Sequence, residues 1–145
     1  MFSDCYSLTK APALPATTLA SGCYTDMFSG CSSLTQAPSL PATTLADYCY
    51  NYMFSDCTKL SQAPEIKTYT PDLYAYEEML TGSLGKLTTC IWSDLTVSEA
   101  ESMILNEAIF GYDNPGDSVR ISVTCKDGSG VAYYDSVESS WVFEL

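Results

Sequence analysis

The amino-acid sequence predicts an α/β repeat: a short solenoid of three 26-residue units plus a degenerate fourth over residues 1–87, capped by a small C-terminal α+β module over 88–145. Periodicity is the first reason. Met1-Phe2-Ser3, Met27-Phe28-Ser29 and Met53-Phe54-Ser55 recur 26 residues apart, with 18 identities in 26 between residues 1–26 and 27–52 and 11 in 26 between 27–52 and 53–78. Met79 stands one period further on, with Ser83 where the next Cys is expected. The second reason is an apolar stripe: Leu45, Cys49 and Met53 fall at i, i+4 and i+8, the spacing of one helix face. The third is a change of composition near Thr88, where alternating strand-like patterns begin.

Each unit reads as a short extended piece, a proline turn, a short helix and a closing turn. Leu34-Thr35-Gln36-Ala37 is the extended piece. It is expected to span only three or four residues, because Pro12, Pro38 and Pro64 withhold the N–H that a longer ladder needs. Ser39-Leu40-Pro41-Ala42-Thr43-Thr44 breaks the chain and offers threonine hydroxyls as helix N-caps. Gly30 and Asp56 suit the closing turn. A helix of about ten residues is marginal alone, so stacking against neighbouring units must supply its stability. The expected inward set is Leu8, Leu34 and Leu60; Leu14, Leu40 and Ile66; Leu19 and Leu45; Phe2, Phe28 and Phe54. In the third unit Thr70-Pro71-Asp72 predicts a helix over 71–80 carrying Leu73, Tyr76 and Leu80.

The C-terminal module is predicted from local signals. Thr89-Cys90-Ile91-Trp92 reads as a strand, and Thr96 with Glu99 forms a capping box that opens a helix running to about Phe110, stopped by Gly111. Val119–Cys125 alternates as a strand, 126–130 makes a hairpin turn, Val131–Tyr134 returns, and Trp141–Leu145 adds a final strand.

Composition excludes several function classes. Acidic residues outnumber basic ones 18 to 6 for a net charge of −12, which opposes nucleic acid and anionic lipid. Residues 1–52 carry −2 of this and 53–145 the remaining −10. Histidine is absent, which removes Ser/His/Asp and Cys/His catalytic sets and His-ligated metals. No apolar run is long enough to insert in a membrane, and the first residues lack the basic and apolar regions of a signal peptide. Met1 falls inside a unit rather than at a polar cap, so a longer array or an external support is expected.

Three residue groups are candidates for chemistry. The seven cysteines include five in the repeat, at two phases: Cys5, Cys31 and Cys57, and Cys23 and Cys49. They read first as buried free thiols packed as small hydrophobes. Bridges between the phases, such as Cys23 to Cys31, and a thiolate metal site are the alternatives. Among eleven tyrosines, Tyr24, Tyr50 and Tyr76 recur in register and read as packing between units; Tyr48, Tyr52 and Tyr74 are the candidate binding row. Asp113-Asn114-Pro115-Gly116-Asp117 reads as a polar loop rather than a Ca²⁺ site. Glu77-Glu78 and Glu99 with Glu101 read as solvated faces rather than a hydrolytic pair. No catalytic residue, metal or cofactor is expected.

Residues 27–35, Met-Phe-Ser-Gly-Cys-Ser-Ser-Leu-Thr, followed by Ala37-Pro38-Ser39-Leu40-Pro41, resemble the BspA-like leucine-rich repeats of bacterial surface and phage-associated proteins. The resemblance extends over residues 1 to about 87 and is strongest to about 66. It implies a leucine-rich-repeat solenoid, a role in adhesion or recognition of a protein or glycan, and an extracellular, cell-surface or virion location. The leading expectation is a non-enzymatic recognition or adhesion module. The alternative is a structural or decoration domain of a phage virion or bacterial surface assembly, held in a larger assembly or homo-oligomer.

Overall fold

The computed structural model describes residues 2–145; Met1, and with it the reading of where the first unit starts, lies outside the described residues. Among the described residues, regular secondary structure is confined to the C-terminal part. It comprises β1 (Thr89–Trp92), α1 (Val97–Leu105), β2 (Ile121–Cys125), β3 (Gly128–Asp135) and β4 (Ser140–Glu144). The sheet order is β1-β2-β3-β4, with β1 parallel to β2 and the other pairs antiparallel. Parallel neighbours need a crossover, and α1 with residues 106–120 supplies it.

The expected α/β leucine-rich-repeat solenoid is therefore corrected. The described residues form a small four-stranded mixed sheet with one nine-residue helix, preceded by a long stretch of turns. Neither the helix expected in each unit nor the one expected over 71–80 forms, and the expected short strands reduce to isolated bridges such as Lys10↔Gln36 and Leu40↔Ile66.

The backbone hydrogen bonds give the reason. An α-helix sends each N–H to the carbonyl four residues back. Here every second N–H leaves the segment instead. Tyr48, Tyr50, Tyr52, Phe54 and Asp56 donate to the carbonyls of Leu73, Ala75, Glu77, Met79 and Thr81 at 2.9–3.4 Å. The intervening N–H groups of Cys49, Asn51, Met53 and Ser55 close on the carbonyl three residues back, at 3.1–3.3 Å. Overlapping turns result, with a left-handed residue every fourth position: Gly22, Asp26 and Gly30; Tyr48, Tyr52 and Asp56; Tyr74, Glu78 and Gly82. In alternate turns, such as 46–49 and 50–53, that residue sits third, as a type II turn requires; in the turns between them, 48–51 and 52–55, it sits first. A left-handed residue cannot continue an α-helix. All N–H groups in 48–56 are nonetheless paired, which is what a half-buried backbone demands.

Burial follows the same four-residue beat. Cys49 and Tyr50 are buried, Asn51 and Tyr52 half-buried, and Met53 and Phe54 buried again. The inward rings stack between units. Phe2–Phe28 and Phe28–Phe54 centroids lie 5.5 and 5.4 Å apart, and Tyr24–Tyr50 and Tyr50–Tyr76 lie 6.0 and 5.3 Å apart. Leu14, Leu19, Leu34, Leu40, Leu60 and Ile66 are buried; Phe2, Leu8 and Leu45 are only partly covered.

Two joints weld the turns to the sheet. Gln62 bridges Thr89 in parallel, with the Thr88 N–H donating to Ser61 and the Ala63 N–H to Thr89. Beyond α1 the chain re-enters the turn pattern: Glu78 donates to Ala108 and Leu80 to Ile109, and Ala108 is left-handed. This explains why α1 stops at Leu105, short of the expected Phe110: residues 106–110 are drawn into turns against 78–80. The capping box itself is present, with Thr96 Oγ1 accepting from the Glu99 N–H and Glu99 accepting from the Thr96 N–H. Phe110 lies between Trp92 (6.5 Å) and Trp141 (5.0 Å), and one apolar cluster runs from Leu14 to Phe143.

Candidate recognition surface

The outward positions of the turns make one continuous face. Tyr48 and Tyr74 occupy the same place in successive units, stack at 6.1 Å and remain 46% and 43% exposed. Tyr52, the third residue of the expected row, sits in the next register and is half-buried; its hydroxyl donates to the Glu78 carboxylate. That bond, more than burial, pushes the Tyr52 phenol up to about 12. So the structure brings Tyr48 and Tyr74 together and turns the Tyr52 hydroxyl to another task. Tyr24, Tyr50 and Tyr76 stack inward, and Tyr76 closes its hydroxyl on the Thr68 carbonyl at 2.6 Å.

Two parts of the face escape the sequence reading. Glu77 and Glu78 are half-buried rather than freely solvated, and burial, then the neighbouring Glu78 charge, raises the Glu77 carboxyl above its ordinary range. Tyr112 is 64% exposed and lies within electrostatic reach of Tyr74, Glu77 and Glu78. The repeat register carries the signal for the glutamates, which occupy the places of Asn51 and Tyr52 one unit earlier. Nothing comparable marks Tyr112, because it follows the inserted helix.

The other candidates are placed plainly. All seven cysteines are free thiols. Cys31 and Cys57 direct their sulfurs to the carbonyls of Phe2 and Phe28, at 3.0 and 3.2 Å. Burial pushes the Cys57 thiol up to about 12 and Cys49 up to about 11. Buried, protonated thiols of this kind are poor nucleophiles. Among the described residues no group of three or more His, Cys, Asp or Glu side chains gathers as a metal site, and no helix is long and apolar enough to cross a membrane. The 113–117 loop is tied by Asn114 Oδ1 accepting from the Gly116 N–H at 2.8 Å. It borders a cleft of about 400 Å³ with Thr81, Leu84, Phe110 and Val119.

Beneath the face lies a buried carboxyl group. Glu107 is 2% exposed; its Oε1 accepts from the Tyr76 N–H at 3.2 Å, while Oε2 has no hydrogen-bond partner. Tyr69 packs beside it, and Asp72 and Glu77 add like charge. Desolvation, the largest cause, raises its carboxyl above the ordinary range. A folded-state value above the unfolded one means that the native state binds the proton more tightly, so this group favours folding as pH falls and opposes it as pH rises through the folded value. Glu107→Gln is expected to raise the unfolding free energy at neutral pH by about 1 kcal/mol, since it removes the charge but keeps the acceptor for Tyr76. At acidic pH the variant and wild type should converge. Urea unfolding of both proteins across that range checks the prediction.

No protein-family model, curated protein or solved structure matches this chain.

Proposed function

We propose that the protein is a non-enzymatic recognition module, which holds a protein or glycan ligand against the turn face around Tyr48 and Tyr74. The observation that carries this reading is the exposed, stacked tyrosine pair on bonded turns: the Tyr48 N–H donates to Leu73 of the next unit, and the Glu77 N–H closes the turn on the Tyr74 carbonyl. Tyrosine supplies large contact area at low entropic cost, and rings held in place beforehand lose little further freedom on binding. The resemblance of residues 27–41 to BspA-like sequences points to the same adhesive role, at a cell surface or on a virion.

The test is binding to protein and glycan arrays by wild type and by the double variant Tyr48→Asn/Tyr74→Asn. Asparagine tolerates the left-handed backbone at both positions, so the ring is lost without new strain. Loss of about tenfold or more in affinity is expected, the scale of an interface hot spot. A bound ligand whose affinity ignores both rings would refute the reading.

A further inference from the structure

The turn face has a one-sided charge. The segments that build it, 20–30, 46–57, 71–83 and 106–113, contain Asp26, Asp47, Asp56, Asp72, Glu77 and Glu78 among their acids and not one Lys or Arg. All six cations lie outside them, at Lys10, Lys59, Lys67, Lys86, Arg120 and Lys126. Two of these are engaged elsewhere: Lys67 pairs with Glu65 and Asp94 at 2.8 and 3.0 Å, and Arg120 lies 4.7 Å over the Tyr133 ring.

From this we infer that the face recognises a cationic protein segment, with arginine or lysine side chains set over Tyr48, Tyr74 and Tyr112 and paired with Glu77 and Glu78. The inference rests on the recognition reading above and names its partner class.

Hydrogen-bond chemistry supports it as much as charge. The carboxylates of Glu77 and Glu78 only accept, and the Tyr52 hydroxyl has already spent its proton on Glu78. A guanidinium is the complement, with five donors and no acceptor. Cations also seat favourably on tyrosine rings, and a carboxylate beside the ring adds a charge-assisted bond. Burial first, and then the neighbouring Glu78 charge, hold the Glu77 proton more tightly than usual, and the same ligand relieves the repulsion between the two carboxylates. An acidic glycan or a nucleic acid would meet only like charge.

The experiment titrates an arginine-rich peptide, a neutral oligosaccharide panel and an acidic peptide into the full chain by calorimetry, at low and physiological salt. The arginine-rich peptide is expected to bind, and the acidic peptide to stay silent. Tyr48→Asn/Tyr74→Asn and Glu77→Gln/Glu78→Gln should each weaken binding about tenfold. Asp117→Asn/Glu138→Gln, which removes the same net charge elsewhere, should leave it unchanged. Equal loss in that control overturns the inference, because net charge alone then explains the binding. Tyrosine-dependent binding of a neutral oligosaccharide, with no binding of the arginine-rich peptide, also overturns it while leaving the recognition reading standing. If no ligand depends on Tyr48 and Tyr74, both fall together. Thermal unfolding of each variant confirms that the fold is intact.

Discussion

Replacing Phe54 by alanine is expected to lower the unfolding free energy by about 3–5 kcal/mol, the usual cost of emptying a buried aromatic site. The side chain is fully buried and its ring stacks on Phe28 at 5.4 Å. Its backbone is pinned on the next unit by the N–H donated to Met79 at 2.9 Å, so the site has little freedom to collapse into the void. Against a typical total stability of about 5–15 kcal/mol, the loss is a large fraction of what holds the chain folded. Phe54→Leu provides the internal comparison. Leu80 already fills the corresponding place one unit on and is itself fully buried, so leucine should cost about 1–1.5 kcal/mol. Urea unfolding should show the alanine midpoint falling steeply with the slope unchanged. Equal midpoints for the two variants would mean that the ring column contributes little.

Ser83→Ala is expected to cost about 2–3 kcal/mol, far beyond what a serine-to-alanine change costs at a surface. Ser83 is fully buried. Its hydroxyl donates to the Phe54 carbonyl and accepts the Cys57 N–H, the latter at 2.8 Å. Alanine removes the stronger partner of a buried acceptor and of a buried donor at once, leaving the Phe54 carbonyl and the Cys57 N–H only their mutual, longer contact at 3.4 Å. Earlier units place a thiol at this position, with Cys31 and Cys57 serving the carbonyls of Phe2 and Phe28. Ser83→Cys should therefore recover more than half of the loss. If alanine and cysteine destabilise equally, volume rather than hydrogen bonding governs the site. The loss of cysteine in the last unit thus conserves a bond rather than breaking a pattern.

How far these features are legible in the sequence depends on the element. The 26-residue register is explicit, and it places the phenylalanine and tyrosine columns correctly. The local conformation between register marks is not. A stripe at i, i+4 and i+8 fits a helix of 3.6 residues per turn closely enough to pass for one. Here it arises from turns that repeat every four residues. Two marks separate the cases. Burial comes in adjacent pairs, Cys49 with Tyr50 and Met53 with Phe54, which a helix stripe does not require. Gly22, Asp26 and Gly30 also stand four apart, each suited to a left-handed backbone. Tyrosine at 48 and 52 hides this signal in the second unit, because it is an unusual choice there. Beyond Thr88 the strands and the capping box obey local rules and are readable. The end of α1 is not, because it is set by bonds to residues 78–80 from far along the chain.

Along the turn face, the peptide groups that link one unit to the next lie the same way round. From Gly22 to Gly30, and again from Tyr48 to Asp56, the donor belongs to the earlier unit and the acceptor to the later one. Their dipoles, about 3.5 D each, therefore add rather than cancel. The positive end of that sum is directed toward the half of the chain that carries −10 of the −12 charges. The acids of residues 53–145 thus settle in a field that the amides themselves generate, as counter-ions do at the start of a helix, although the only helix among the described residues is nine residues long.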